Sequence, residues 1–139
     1  MTFVLDASAI LRFTDMEPGC ERVRSLLYQA AEGQVELLLS AVNWGEIVGV
    51  LHAKRQADAE SILGKLAALP ITILPVDAYD AAEAGRFKCR FKVAYADAFA
   101  GSLTLKRSQD GTHATLLTAD YDFKALPKGT IRIEFLPGR

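Results

Sequence analysis

Apolar residues fall along this chain in two patterns. Short, nearly unbroken runs cover Thr2–Leu5, Val35–Leu39, Ile71–Leu74 and Ala114–Thr118. Such runs predict strands buried on both faces, as in a parallel sheet covered by helices. A fifth run, Ile131–Phe135, alternates with Arg132 and Glu134 and predicts an edge strand. In the stretches between, apolar positions recur at helical spacing. Val23, Leu26, Leu27 and Ala30 define a helix from Pro18 to Glu32 that stops at Gly33. Ser40 can cap a helix reaching Arg55, built on Val42, Trp44, Ile47, Val48 and Leu51. Gln56–Leu69 predicts another, ended by Pro70, and Asp77 can cap the next. Tyr95–Lys106 is a further helix, unusually rich in Ala.

Strands alternating with helices predict an α/β/α sandwich around a mainly parallel five-stranded sheet. Helix pairs fill the crossovers between the second and third strands and between the third and fourth. The 139 residues fit one domain, 1–139, with a sizeable core.

Charge changes the picture only by exclusion. Sixteen basic and seventeen acidic residues argue against attachment to nucleic acid through bulk charge, leaving a local basic patch as the alternative. Cys20 and Cys89 lie far apart, outside any Cys-x-x-Cys motif, and read as reduced core thiols of a cytoplasmic protein. No apolar run nears the ~20 residues of a membrane span, and no signal peptide opens the chain.

The candidate chemistry lies in the acids. Functional groups of parallel sheets gather beyond the carboxyl ends of the strands. Asp6 stands at that end of the first strand, and Asp120 just past the fourth, with Asp122 two residues on. On helices, residues at i±3 and i±4 share a face. Glu46 shares its face with Val42, Asn43, Gly49 and Val50, and Asp97 with Val93, Ala94, Ala100 and Gly101. A solvated acid has polar neighbours, as Asp58 does in Lys54, Arg55 and Ser61. Each acid also has an ordinary reading: Asp6 as a helix cap, Glu46 as a partly exposed helix residue, Asp97 as a cap or partner of Lys92, Asp120 and Asp122 as turn residues. Asp15, Glu17, Asp80 and Glu83 read as solvated.

A shared site explains four such placements together. Carboxylates ~5 Å apart repel by roughly 3 kcal/mol per pair at an effective dielectric of ~20. A proton, a basic side chain or a cation must compensate. All-oxygen ligands suit Mg²⁺ or Mn²⁺, while His52 and His113 do not cluster with thiols as Zn²⁺ would require.

LDASAI, WGEI, YADAFA and LLTADYDF, in that order and spacing, resemble the PIN domain, in particular the VapC-type ribonuclease toxins of VapBC toxin–antitoxin pairs. By position, Asp6, Glu46, Asp97 and Asp120 match the family's acidic quartet. Thr118 matches its small hydroxyl residue, Asp122 a frequent extra acid, and Ser8 a polar position after the first acid. The resemblance implies a Mg²⁺- or Mn²⁺-dependent endoribonuclease in which a metal-activated water cleaves a phosphodiester, leaving 5′-phosphate and 3′-hydroxyl ends. Asp6, Asp97 and Asp120 would hold metal, and Glu46 would complete the shell or orient the water. It also implies a homodimer and a VapB-type antitoxin whose C-terminal segment covers the groove.

Arg86, Lys88, Arg90 and Lys92, interleaved with Phe87 and Phe91 just before Asp97, are candidates to contact RNA phosphates and stack on bases. Their ordinary reading is a helix end with snorkelling bases over buried aromatics. Lys106 and Arg107 read as favourable to a helix dipole. Two alternatives stand beside the toxin: a PIN-type RNA-processing nuclease without an antitoxin, and a non-catalytic binding module on the same fold. A phosphoryl-transfer protein of haloacid-dehalogenase type is disfavoured, since it wants Asp where Ser8 stands.

Overall fold

A computed structural model describes residues 1–138. Its elements run β1 (Thr2–Leu5), α1 (Ala7–Thr14), α2 (Cys20–Ala31), β2 (Glu36–Ser40), α3 (Ala41–Lys54) and α4 (Ala59–Ala67). Then come β3 (Thr72–Leu74), α5 (Ala78–Phe91), α6 (Tyr95–Gln109), β4 (Ala114–Thr118), a short 3-10 turn (Tyr121–Ala125) and β5 (Arg132–Phe135). The sheet order is β3-β2-β1-β4-β5, and every pairing is parallel. The five expected strands all form, within a residue or so, and Arg132–Phe135 lies at the edge as its alternation required.

The β1 side chains divide the core. Phe3 and Leu5 point to one face, with Ile10, Val23, Leu26, Leu37, Leu39, Ile47 and Leu51. Val4 points to the other, with Leu38, Leu116, Phe87 and Phe99. Each strand residue thus meets a helix layer, which is why these runs carry no polar alternation.

Four local features of the sequence hold the helices in place. Ser40 caps α3 by accepting from the Val42 N–H at 3.2 Å, and Asp77 and Asp80 form a reciprocal capping box on α5. Gly101 lets α6 meet α5: a Cβ there would sit 2.5 Å from the Phe87 ring. Gly19 turns the chain into α2 with φ +97°, against Leu136.

Two expectations are corrected. The first crossover also carries a helix pair, because Ala7–Thr14 is helical. The cysteines are free thiols, but neither belongs to the core: Cys20 is half-buried and Cys89 exposed. Cys89 lies about 200° round α5 from the buried Phe87, so it faces outward. Among the described residues no helix is long and apolar enough to cross a membrane.

Candidate active site

Because β1 and β4 are paired in register, Leu5 opposite Leu117, the residues that leave both strands are neighbours. Asp6 follows β1 and Thr118 ends β4. Asp6 is buried, 2% exposed, and accepts at both carboxylate oxygens. Its Oδ1 takes the Ser8 hydroxyl at 2.6 Å and the Ala9 N–H at 3.0 Å, which makes it the N-cap of α1. Its Oδ2 takes the Thr118 hydroxyl. Those hydroxyls in turn accept from the Ala119 N–H (2.8 Å, to Ser8) and the Asp120 N–H (2.9 Å, to Thr118). With both hydroxyl protons directed at an ionised Asp6, the 3.2 Å separation of Ser8 and Thr118 is a close approach, not a third bond. The cap reading of Asp6 holds, and its second oxygen is tied to the end of β4.

Asp120 begins the 3-10 turn, and its Oδ1 accepts from the Asp122 N–H at 2.9 Å. Asp122 itself is exposed and enters the site through that backbone group. Asp97 lies in the first turn of α6, half-buried. Burial, the hydrogen-bonding carboxylate of Asp120, and repulsion from Asp120, Asp6 and Glu46 push its carboxyl up to about 8. Burial also raises Asp6 to about 6, against hydrogen bonds from Ser8, Thr118 and Ala9 that lower it, with a smaller upward push from Asp120. The quartet thus meets around Asp97, within electrostatic reach. Burial and these neighbours favour the protonated form of the Asp97 carboxyl.

Glu46 is positioned by a residue that sequence reading passed over. Asn43, fully buried on α3, donates from Nδ2 to Glu46 Oε1 at 2.8 Å and to the Ala96 carbonyl at 3.1 Å. A signal for it exists in the chain. Asn43 falls in line with Ile47 and Leu51 on the buried stripe of α3, where an amide is out of place unless bonded. Among the described residues, its Oδ1 is the buried side-chain oxygen left without a partner. Such an orphan costs about 1–3 kcal/mol.

The donor set fits a hard cation. It is all oxygen, and two of its acids are held above their ordinary pKa, chiefly by burial and, at Asp97, also by the neighbouring carboxylates. Among the described residues no three Asp, Glu, His or Cys side chains already stand at ligand spacing.

The basic segment is resolved in favour of its ordinary reading for the aromatics. The helix continues through Phe91 and ends at Lys92, whose φ of +57° closes it. Phe87 is buried against Gly101, and the Phe91 ring packs on it at 4.7 Å, so Phe87 offers no face to a base. Lys88, Arg90 and Lys92 are exposed, whereas Arg86 is paired with Glu83 at 2.7 Å. Lys106 has particular partners: it approaches Asp80 at 3.9 Å and lies over the Tyr79 ring. Asp15, read as solvated, pairs with Arg55 at 3.7 Å.

The fold and site define a class: parallel α/β proteins with crowded acids beyond the carboxyl edge of the sheet. A PIN domain family model matches residues 3–129, and the chain belongs to the PIN domain family. A search of curated proteins finds no match. Among solved structures, it is similar to a chain of VapBC2 from Rickettsia felis bound to a promoter DNA fragment. That likeness has TM-score 0.75 and 17% identity, covering 99% of this chain and 100% of that one. Similar likenesses hold for DNA-bound VapBC from Salmonella typhimurium (0.71, 14%, 97% and 98%). VapBC-5 from Mycobacterium tuberculosis follows (0.57, 19%, 97% and 97%). At these identities the likeness is one of fold.

Proposed function

We propose that the chain is a VapC-type toxin, a single cytoplasmic nuclease domain that hydrolyses RNA phosphodiester bonds with Mg²⁺ or Mn²⁺. The observation that carries this reading is the meeting of Asp6, Glu46 and Asp120 on Asp97, whose carboxyl is held at about 8. Three acids crowd a fourth where only positive charge can relieve them. Family membership and the VapBC fold likeness support the same reading.

Asp6, Asp97 and Asp120 would hold the ion. When bound, the ion supplies positive charge to the phosphate and makes a water acidic enough to attack near neutral pH. The chain's own residues do the rest. Ser8 and Thr118 fix both oxygens of Asp6, so its carboxylate does not rotate. Glu46 orients the attacking water. Asp97 would hold the ion as the ionised carboxylate, its proton being released to solvent. Lys88, Arg90 and Lys92 attract RNA backbone to an otherwise acidic groove. The working unit is a homodimer held silent by a VapB-type antitoxin, whose C-terminal segment covers the acids.

The test is expression of this chain with and without the product of its upstream neighbouring gene, followed by sequencing of new 5′-phosphate RNA ends. New ends that appear only without the neighbour are expected. Growth and RNA unchanged in both conditions would remove the toxin reading.

A further inference from the structure

Asn43 is the polar group the nuclease mechanism leaves unused, and its surroundings are specific. It is fully buried, three residues before Glu46 on the same helix. One Nδ2 hydrogen goes to Glu46 Oε1 at 2.8 Å and the other to the Ala96 carbonyl at 3.1 Å. Ala96 immediately precedes Asp97. Both partners only accept, so the amide has one possible orientation: turning it over would set Oδ1 against two oxygens. Oδ1 is left with no partner. A residue kept for packing would be apolar here, as Ile47 and Leu51 are one and two turns on. An amide stands where the stripe is otherwise apolar, which directs attention to what its two N–H donors hold.

We infer that Asn43 is a positioning residue: it fixes the Glu46 carboxylate and ties it to the start of α6, setting the spacing of Glu46 and Asp97. Among the described residues no other side-chain hydrogen bond joins α3 to α6, no basic side chain pairs with Glu46, and the N-cap of α6 is Ala94, not Asp97. One amide with two hydrogens bridges the two helices directly. The inference rests on the nuclease reading for its kinetic consequence, but the bond network stands apart from it.

The experiment has two arms. In the first, Asn43→Ala and Asn43→Thr are compared with wild type for Mn²⁺-supported RNA cleavage and Mn²⁺ binding. Asn43→Ala is expected to lower kcat at least tenfold with KM for RNA and the Mn²⁺ dissociation constant within threefold, because the residues assigned to the ion remain. Asn43→Thr keeps one donor, so its kcat falls between, and it serves if the alanine variant does not fold. Wild-type kcat in either folded variant overturns the inference. In the second arm the Asn43 side-chain amide protons are followed by NMR hydrogen exchange in the metal-free protein. Slow exchange that becomes fast in Glu46→Ala supports the positioning role even if wild type cleaves no RNA, a result that would sink the nuclease reading alone. Fast exchange in wild type overturns the positioning role whatever the activity.

Discussion

The Thr118 hydroxyl donates to Asp6 Oδ2 across 112 positions of sequence, joining the carboxyl ends of β1 and β4. Asp6 is thereby held as a buried acid with a donor on each oxygen, and Thr118 simultaneously accepts from the Asp120 N–H. One hydroxyl sets two members of the quartet.

Thr118→Val keeps the shape and removes that hydroxyl. A buried acceptor and a backbone N–H both lose their partner, so the variant is expected to lose roughly 1–3 kcal/mol of stability. Thr118→Ser, which keeps the donor, should lose less. Chemical denaturation of the two variants decides it; a larger loss in Thr118→Ser than in Thr118→Val would mean that the methyl group's packing, and not the bond, is what matters.

Asp6→Asn, Glu46→Gln and Asp97→Asn are each expected to abolish RNA cleavage with the fold retained, since each acid has a separate task. Circular dichroism monitors the fold and Mn²⁺-supported cleavage the activity. Near wild-type cleavage by any two of the three would break the quartet assignment.

Raised carboxyl pKa values make stability depend on pH. Asp6 and Asp97 titrate near 6 and 8 when folded, against ~3.9 unfolded. Between those values the folded chain binds more protons than the unfolded one, so stability falls as pH rises. The metal-free protein is therefore expected to be most favoured by these groups below pH ~4 and to lose their contribution through pH 6 and then 8. Mn²⁺ should reverse the loss by binding the ionised native pocket. Asp97→Asn should stabilise the chelated protein at pH 8 by roughly 1–2 kcal/mol, the full linkage value being reduced because part of the side chain meets solvent. Thermal midpoints in chelator and in Mn²⁺, at pH 5 and 8, provide the check. A wild-type midpoint unmoved by Mn²⁺, together with a destabilised Asp97→Asn, would contradict the crowded pocket.

Replacing Lys88 and Arg90 with Ala should weaken RNA binding and flatten its salt dependence by roughly one to two units of log–log slope. Fluorescence anisotropy with a labelled RNA, between low and moderate salt, measures it. An unchanged slope would return both residues to a solvated helix face.

Gly101→Ala should destabilise by about 1–3 kcal/mol, because the added methyl meets the buried Phe87 ring at 2.5 Å and the ring must give way. If the variant is as stable as wild type, the helices have room that the packing does not suggest.

Much of this molecule can be read residue by residue. Burial on both faces of a strand and the helical period are properties of consecutive residues, so five strands and most helices were legible. Asp6, Glu46, Asp97 and Asp120 stood out for the same local reason, as acids at strand ends or among small and apolar neighbours. Ser40 and Asp77 announced their caps. Ala7–Thr14 did not announce itself, because eight residues give barely two turns in which a period can repeat; it rests on the Asp6 cap and on burying Ala9 and Ile10. The alternation of Arg86–Lys92 was ambiguous in the chain. On α5 it resolves into Phe87 and Phe91 directed inward, with basic residues on either side.

Other features depend on contacts between distant segments. The pairing of β1 with β4 brings Thr118 to Asp6, and the approach of α3 to α6 brings Asn43 to the Ala96 carbonyl, 53 residues away. The pKa values of Asp6 and Asp97 depend on that same convergence. A local pattern can say that an acid is buried, since burial follows from its neighbours in sequence. Which groups share its burial, and whether a proton or a cation must answer for the charge, is decided by the strand order and helix packing that bring them together.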